Sequence, residues 1–394
     1  MSELQKEIFS CIAKSDVDEL KKKLSAYNGS VDFTDDNGMT PLQHAAYKGN
    51  KEGVQLLLDL GADVNSGKHE FNYTALHFAA LSGNADVCLQ LLIAGANPST
   101  LNSVGRTAAQ MGAFVANHKA VSTINNFVSK SDVEYYTKIQ GLQTEPSLPP
   151  ALLDSFHKFV IHPNLHPTRI ALNLQQYGIV SENYKIIKNV LDLMTEREMK
   201  RKSETNELMA FKYHYLSWII NEIISCRDHF LARNQEKDSK SDYLEMYIKR
   251  VMKQNKEGQM DYMEITIREC VREFPFRECM IFQQVVRQLA DKENQLTALE
   301  IIKQAINGQR GFQDVNIFCS TCGDEKPDKK CSKCKQVQYC DRECQRLHWP
   351  IHKKECARLS SQPLPSAAAA QPNAKKEPID QAELSEELQK LVAG

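Results

Sequence analysis

The sequence predicts a mainly α-helical protein with a repeat solenoid, an all-α middle region, a small metal-bound finger and a disordered tail. A motif recurs every 33 or 34 residues near the N-terminus, which is typical of stacked helical repeats. Residues 151–310 have long helix-periodic apolar runs and show no alternating strand pattern. Residues 319–356 hold seven of the twelve cysteines of the chain, which indicates a metal-binding module.

The N-terminal repeat is visible in three successive segments. Thr40–Ala46 reads TPLQHAA, Thr74–Ala80 reads TALHFAA, and Thr107–Ala113 is a degenerate copy. Each segment begins with a threonine that can cap a helix, and its small residues allow two helices to approach closely. This period and this signature are those of the ankyrin repeat. With a degenerate cap over residues 5–30, we expect about four stacked units within residues 1–128.

Ankyrin arrays bind proteins across their hairpin tips and the concave face of their inner helices. Exposed aromatic and arginine side chains at those positions are therefore candidate anchors. The predicted partner-binding residues are Tyr47, Phe71, Tyr73 and Arg106, with Met39, Leu81 and Phe114 at equivalent positions. Phe71 and Tyr73 flank the tip Gly67–Glu70, and we predict that both anchor a partner. Packing between repeats is an alternative interpretation, above all for Leu81 and Phe114.

The middle region is predicted to be a bundle of eight helices. They lie near 151–160, 168–177, 182–199, 205–233, 241–256, 260–273, 277–290 and 294–307. The run Phe211–Ile220 is the predicted core of this bundle. Its single histidines are His157, His162, His166, His214 and His229. No HExxH motif, phosphate loop or nucleophile elbow accompanies them, so we predict no catalytic residue and no enzyme activity.

The cysteine-rich block contains eight soft metal ligands in four pairs. The pairs are Cys319/Cys322, Cys331/Cys334, Cys340/Cys344 and His352/Cys356. Two tetrahedral sites use all eight ligands and leave no open position for a reactive water, which predicts two structural zinc ions. So short a segment cannot fold on apolar burial alone, and each zinc is expected to contribute ~10–16 kcal/mol. Spacing alone does not assign the pairs to the ions.

Disulfide-bonded or merely buried cysteines are the alternative to a metal site. Met1–Ser10 is charged and mixed in place of an apolar signal segment, which predicts a cytoplasmic protein in a reducing compartment. The other cysteines stand singly on apolar helical patterns and are predicted core residues: Cys11, Cys88, Cys226, Cys270 and Cys279. These observations favour zinc over disulfides in residues 319–356.

The block resembles the MYND zinc finger in its ligand spacing. It shares further residues with that family: Gln345, His348, Trp349, Pro350, His352 and Lys353. The resemblance implies two interleaved zinc sites, one with Cys319, Cys322, Cys340 and Cys344 and one with Cys331, Cys334, His352 and Cys356. His348 is a rival ligand, because it lies four residues from both Cys344 and His352. Pro350 is expected to interrupt that helix, and the family pattern favours His352.

The same resemblance implies a peptide groove. Gln345 would bond the backbone of an extended peptide, and Trp349 would form the apolar floor for its prolines. Core packing within the finger is the alternative for Trp349. Residues 129–150 are predicted to be a proline-containing linker, and Pro146, Leu148 and Pro150 match the PxLxP peptide that some MYND fingers bind. The motif is either an intramolecular ligand of the finger or part of a plain spacer, and we favour the spacer.

The formal net charge of −1 over 394 residues gives no indication that the chain binds nucleic acid or an anionic membrane. Within the finger, seven thiolates and two zinc ions cancel the excess of basic side chains, so direct nucleic-acid binding is not expected. No apolar run reaches the about eighteen residues of a transmembrane helix.

Residues 357–394 are predicted to be disordered, and Ile379–Val392 could form an amphipathic helix on a partner.

The order of the modules resembles the ankyrin repeat and MYND domain-containing protein 2 family. The resemblance implies a non-enzymatic adaptor associated with primary cilia. Such an adaptor would help to deliver signalling membrane proteins, such as cyclases, to that compartment and so support Hedgehog-type signalling. The alternative function is a nuclear co-repressor that recruits PxLxP proteins through its MYND groove. The location of the protein in the cell separates these two hypotheses.

Overall fold

The computed structural model describes residues 1–200, 205–233, 242–291, 293–308, 317–325 and 327–360. The described chain forms two compact units, and the division falls between Ser129 and Lys130. Within the described ranges, no helix is both long and apolar enough to cross a membrane. The predicted tail lies outside the described residues from residue 361 onward.

The N-terminal unit consists of four helix pairs. They are α1 (Glu3–Lys14) with α2 (Val17–Ala26), α3 (Pro41–Lys48) with α4 (Lys51–Asp59), α5 (Ala75–Leu81) with α6 (Ala85–Ile93), and α7 (Ala108–Phe114) with α8 (His118–Asn125). The four stacked units that the repeat pattern predicts are therefore present. Small and branched apolar side chains fill the space between them: Leu42, Ala45, Ala46, Val54, Leu57, Leu76, Ala79, Ala80, Val87 and Leu91.

Local hydrogen bonds define the start of each repeat and join it to the next. The Thr40 hydroxyl accepts from the Gln43 amide at 3.3 Å, and the Gln43 side chain accepts from the Thr40 amide at 2.8 Å. Gln43 Nε2 also donates to the carbonyls of Ser66 and Tyr73, each at 2.9 Å. Gly49 ends α3 with a φ of 71°, a conformation that glycine adopts without strain.

The second unit contains the helical bundle and the finger. Its helices are α9 (Lys130–Glu134), α10 (Leu153–Ile161), α11 (Pro167–Gln176), α12 (Tyr184–Met199), α13 (Glu207–Arg233), α14 (Asp242–Val251), α15 (Asp261–Arg272), α16 (Met280–Ala290), α17 (Ala298–Asn307) and α18 (Arg342–Ser360). All eight helices predicted between residues 151 and 310 are present, with ends shifted by a few residues. The finger adds an antiparallel pair, β1 (Lys329–Lys330) and β2 (Gln338–Tyr339).

Helix α13 forms the centre of the bundle and packs along α12. The predicted core run is confirmed, because its apolar side chains are buried: Phe211, Tyr213, Tyr215, Leu216, Ile219 and Ile220. The same run buries the charged side chain of Lys212, whose Nζ donates to the Val160 carbonyl at 2.5 Å. Burial lowers the pKa of Lys212 to about 7.

The predicted linker, residues 129–150, packs within the second unit from Lys130 onward. Arg197 of α12 lies 4.3 Å from the ring centre of Tyr135, in the turn that follows α9. Leu148 is fully buried, and its amide donates to the Tyr136 carbonyl at 2.8 Å. Burial of these apolar and aromatic groups outweighs the extended tendency of the neighbouring prolines, and residues 130–150 belong to the second unit.

Candidate metal centre and interaction surfaces

The eight predicted ligands lie on two tight turns and one long helix. Gly323 N–H donates to the Cys319 carbonyl at 2.9 Å, which closes the first turn. Lys335 N–H donates to the Cys331 carbonyl at 2.9 Å and closes the second turn in the same way. The last three ligands of the sequence, from Cys344 onward, project from α18, and Cys340 directly follows β2. Each chelating pair is thus held by local backbone structure.

The fold brings these ligands together in two clusters. In each cluster, one ligand atom from every residue lies within 4.8 Å of the others. We call them the four-cysteine cluster, which is Cys319, Cys322, Cys340 and Cys344, and the Cys3His cluster, which is Cys331, Cys334, His352 and Cys356. Each cluster combines one turn with one pair from the C-terminal half of the finger, the interleaved arrangement implied by the MYND resemblance.

The spacing of the ligand atoms fits tetrahedral zinc. Zinc about 2.3 Å from two sulfurs places them about 3.8 Å apart, and a sulfur and an imidazole nitrogen about 3.6 Å apart. In the four-cysteine cluster, Cys322 Sγ lies 3.6 Å from Cys340 Sγ and 3.8 Å from Cys344 Sγ. In the Cys3His cluster, His352 Nε2 lies 3.5 Å from Cys334 Sγ and 3.3 Å from Cys331 Sγ. Both donor sets can therefore hold zinc.

His348 lies outside both clusters. Its Nδ1 is 3.1 Å from the Tyr339 hydroxyl, and its ring stacks on His352 with centroids 5.8 Å apart. The expectation that Pro350 interrupts the helix is wrong, because α18 continues through it to Ser360. A proline removes one backbone hydrogen bond, and the helix stays continuous, with Cys344 before Pro350 and His352 and Cys356 after it.

The finger is joined to the helical bundle by a contact that sequence reasoning did not predict. Asn164, in the loop between α10 and α11, donates from Nδ2 to the Cys322 carbonyl at 3.0 Å and to Asp324 Oδ1 at 2.6 Å. Arg169 of α11 forms an ion pair with Asp324 at 3.4 Å. Leu172 of α11 packs against the cysteine core of the finger. The finger and the helical region, predicted as separate domains, thus form one unit.

A second contact joins the finger to helix α14 of the bundle. Arg346 of α18 forms an ion pair with Glu245 of α14 at 3.1 Å, and both side chains are partly exposed. Lys249 and then Arg346 hold the pKa of Glu245 below its ordinary value. Exposed pairs of this kind contribute only about 0–1 kcal/mol. The Asn164 and Arg169 contacts are the stronger candidates for positioning the finger.

The two predicted groove residues lie at the surface of α18. Trp349 is 46% exposed, and its ring centroid is 6.0 Å from that of His352. Gln345 is half-buried one turn earlier on the same helix. Core packing, the alternative interpretation of Trp349, does not account for a ring that is almost half exposed. An apolar surface is therefore available at the position where the resemblance implies a peptide groove.

The predicted anchors of the ankyrin unit have different surroundings. Tyr47, Phe71 and Leu81 are half-buried and pack on a small aromatic cluster. The guanidinium of Arg106 lies 5.3 Å from the ring centre of Phe114, which is 58% exposed. Together these side chains provide an aromatic and cationic surface, of the kind that protein interfaces favour.

The prediction of Tyr73 as a partner anchor is wrong. Tyr73 is 1% exposed, and its ring centroid lies 5.6 Å from that of Phe78 and 5.4 Å from that of His69. The tip residue His69 turns inward, and burial lowers its pKa to about 4, so it is neutral within this aromatic cluster. Met39, at an equivalent position, is buried as well. Phe71 remains a predicted anchor.

The PxLxP motif is not presented as a free peptide. Leu148, its central residue, is fully buried in the second unit, while Pro146 is half-buried and Pro150 begins a short 3-10 turn. A peptide ligand of the finger would need Leu148 to leave this position.

Comparison with known proteins agrees with this architecture. Ankyrin repeats match residues 8–123 in three copies, and a MYND finger matches residues 319–356. Dauer abnormal formation protein 25 of Caenorhabditis elegans is 31% identical over 360 residues, which covers 90% of this chain and 90% of that protein. The chain belongs to the ankyrin repeat and MYND domain-containing protein 2 family. Its modules are therefore protein-interaction modules.

Other relatives share one part of the chain. The zinc finger MYND domain-containing protein 10 homolog of Drosophila melanogaster is 38% identical over 68 residues, which is 17% of this chain and 15% of that protein. Protein phosphatase 1 regulatory subunit 27 of Mus musculus is 31% identical over 94 residues, which is 24% of this chain and 60% of that protein. Each of these similarities concerns only the matched part of the chain.

Proposed function

We propose that this protein is a non-enzymatic adaptor that holds different partner proteins on its ankyrin surface and on its MYND finger. The observation that supports this most directly is the exposure of Trp349 on a helix that also bears ligands of both clusters. An exposed tryptophan costs solvation free energy in an isolated protein and is typical of a binding surface. The Arg106 and Phe114 surface provides the second binding site.

The finger is proposed to hold two structural zinc ions. The ligands of the four-cysteine cluster are Cys319, Cys322, Cys340 and Cys344, and those of the Cys3His cluster are Cys331, Cys334, His352 and Cys356. All eight positions are filled by protein side chains, so zinc would stabilise the fold and would leave no coordination position for a substrate. Metal analysis of the purified chain is expected to give two zinc ions per molecule.

Membership of the family extends the proposal to a cellular role. We infer that the protein supports the trafficking of signalling membrane proteins, such as cyclases, to cilia, and so contributes to Hedgehog-type signalling. The cargo would be bound through its cytoplasmic segments. A nuclear co-repressor is the second candidate, because Gln345 and the exposed Trp349 would also suit a PxLxP peptide.

Proximity labelling in ciliated cells tests the proposal. The full chain would be fused to a labelling enzyme and compared with Trp349→Ala, with Arg106→Ala and with Ile265→Ala, an exposed apolar control in the bundle. We expect each of the first two variants to lose a different set of labelled proteins, with ciliary membrane proteins in one set, and the control to lose none. Identical labelling by all variants would contradict the adaptor proposal, and loss of chromatin proteins alone would favour the co-repressor.

A further inference from the structure

The two metal clusters differ in what surrounds their chelating turns. The turn of the Cys3His cluster is closed by the finger itself, since Cys331 N–H donates to the Val337 carbonyl at 2.9 Å. The turn of the four-cysteine cluster is held in addition by the bundle. Asn164 binds the carbonyl of the ligand Cys322 and fixes the carboxylate of Asp324, which also pairs with Arg169.

Asp324 lies close to the ligand sulfurs. Its Oδ2 is 3.4 Å from Cys322 Sγ and 3.9 Å from Cys340 Sγ. Four thiolates around a divalent ion leave two net negative charges, to which Asp324 adds a third. This concentration of negative charge is unfavourable unless cations lie nearby.

The bundle supplies those cations. The side chain of Arg169 is 20% exposed and contacts Asp324 directly. Lys303 of α17 is a second basic side chain of the bundle: burial lowers its pKa, while Glu300 of the same helix, followed by Asp324 and Glu325, acts to raise it. The Cys3His cluster has one thiolate fewer and is less negative when it holds zinc. The wall of the bundle is therefore suited to the metal-loaded four-cysteine cluster.

We propose that the helical bundle is an outer shell for the four-cysteine cluster, in which Asn164 and Arg169 are positioning residues that slow the loss of its metal. The Cys3His cluster then loses its metal first, while the four-cysteine cluster keeps the finger docked on the bundle. Outer-shell contacts of this kind typically change metal affinity 10–100-fold. The inference rests on the proposed binding of zinc to both clusters.

Timed chelation of the full chain tests the order of release. Zinc-loaded protein would be incubated with EDTA, sampled over time, alkylated briefly with N-ethylmaleimide and mapped by mass spectrometry. We expect Cys331, Cys334 and Cys356 to become reactive before the cysteines of the four-cysteine cluster. The five buried cysteines outside the finger report any global unfolding: Cys11, Cys88, Cys226, Cys270 and Cys279.

Variants in the bundle test the cause of the difference. Asn164→Ala and Arg169→Gln are each expected to speed labelling of the four-cysteine cluster about 10–100-fold and to leave the Cys3His rate unchanged. Gln175→Ala is the matched control, because Gln175 is exposed on α11, the helix of Arg169. It is expected to change the labelling rate of neither cluster.

Each contrary outcome has a distinct meaning. Simultaneous labelling of both clusters, earlier labelling of the four-cysteine cluster, or normal rates in both bundle variants would overturn the outer-shell proposal alone. A chain that contains no zinc and labels at all seven finger cysteines from the start would overturn the zinc assignment and this inference with it.

Discussion

The ankyrin unit and the MYND finger are both assembled from short motifs, but different groups are buried between those motifs. The ankyrin helices are separated by alanine, valine and leucine side chains that are fully buried. The buried cluster of the finger is formed by six cysteines and Tyr339, with the half-buried Cys340 beside them, and Leu347 and His352 are buried as well. Apolar burial stabilises the first arrangement directly, whereas the second is proposed to depend on the bonds of its ligands to zinc.

This difference predicts that the same chemical change has different results in the two places. A buried cysteine of the ankyrin unit acts as a small apolar side chain, while a buried cysteine of the finger is a proposed zinc ligand. The finger buries few apolar side chains of its own, and Leu172 of the bundle packs against its cysteines.

The largest expected effect comes from exchanging one sulfur for oxygen in the finger. Cys322→Ser removes a ligand of the four-cysteine cluster, and we expect zinc content to fall by one ion per chain and the finger to unfold. The lost metal site corresponds to ~10–16 kcal/mol. Metal analysis and limited proteolysis would measure this.

Cys88→Ser is the matched control, because Cys88 is fully buried in α6 of the ankyrin unit. The added hydroxyl is expected to cost about 1–3 kcal/mol of ankyrin stability and to leave zinc content unchanged. Equal zinc loss in both variants would remove the distinction between the two kinds of cysteine.

The stability lost when an aromatic side chain of the ankyrin unit is removed should depend on how deeply that side chain is buried. Tyr73→Ala is expected to lower the free energy of unfolding by about 3–5 kcal/mol, because a fully buried ring is removed from the aromatic cluster. Phe114→Ala should change it by less than about 0.5 kcal/mol, since that ring is largely exposed. Urea unfolding of the two variants measures the difference, and equal destabilisation would show that the burial difference is not what decides stability here.

The buried Lys212 makes the stability of the bundle depend on pH. Burial lowers its pKa to about 7, whereas an unfolded lysine has a pKa of about 10.4. Between these two pH values the unfolded state binds one more proton than the folded state. The free energy of unfolding therefore rises by about 1.4 kcal/mol per pH unit. Above and below this window the dependence ends.

Lys212→Met removes this titration and nothing else that ionises. Wild type and variant would be unfolded in urea at several pH values from 7 to about 10. The difference between their free energies of unfolding should change by about 1.4 kcal/mol per pH unit. Parallel curves for the two proteins would show that Lys212 stays protonated in the fold, or is solvated.

The smallest effect on stability is expected for Trp349→Ala. Because the ring is almost half exposed, the melting temperature and zinc content should stay nearly unchanged while partner proteins of the finger are lost. Pull-down and differential scanning calorimetry check both parts. A large drop in melting temperature would restore the core interpretation of this residue.

Local patterns in the sequence were sufficient to predict the repeats, the eight bundle helices and the order of ligand pairs. Helix periodicity, threonine caps and ligand spacing each act within a few residues, so a single sequence records them. The grouping of the ligands in two clusters was implied by the family resemblance, and the geometry has the same grouping.

Long-range contacts were not predictable in the same way. Asn164 and Cys322 are 158 residues apart, and no periodicity or spacing relates them. The burial of Tyr73 and Leu148 was not predictable either. An aromatic side chain suits a surface or a core, and nearby prolines do not exclude burial. The course of α18 through Pro350 was not predictable either, because a proline inside a helical pattern ordinarily breaks or kinks the helix.

Hydrogen exchange of the full chain, measured by mass spectrometry before and after zinc removal, tests the difference between the two regions most directly. We predict that residues 319–356 lose protection, together with the loop at Asn164, while helices α3 to α6 exchange as before. Parallel loss of protection in the ankyrin helices, or a finger that stays protected without metal, would contradict the account.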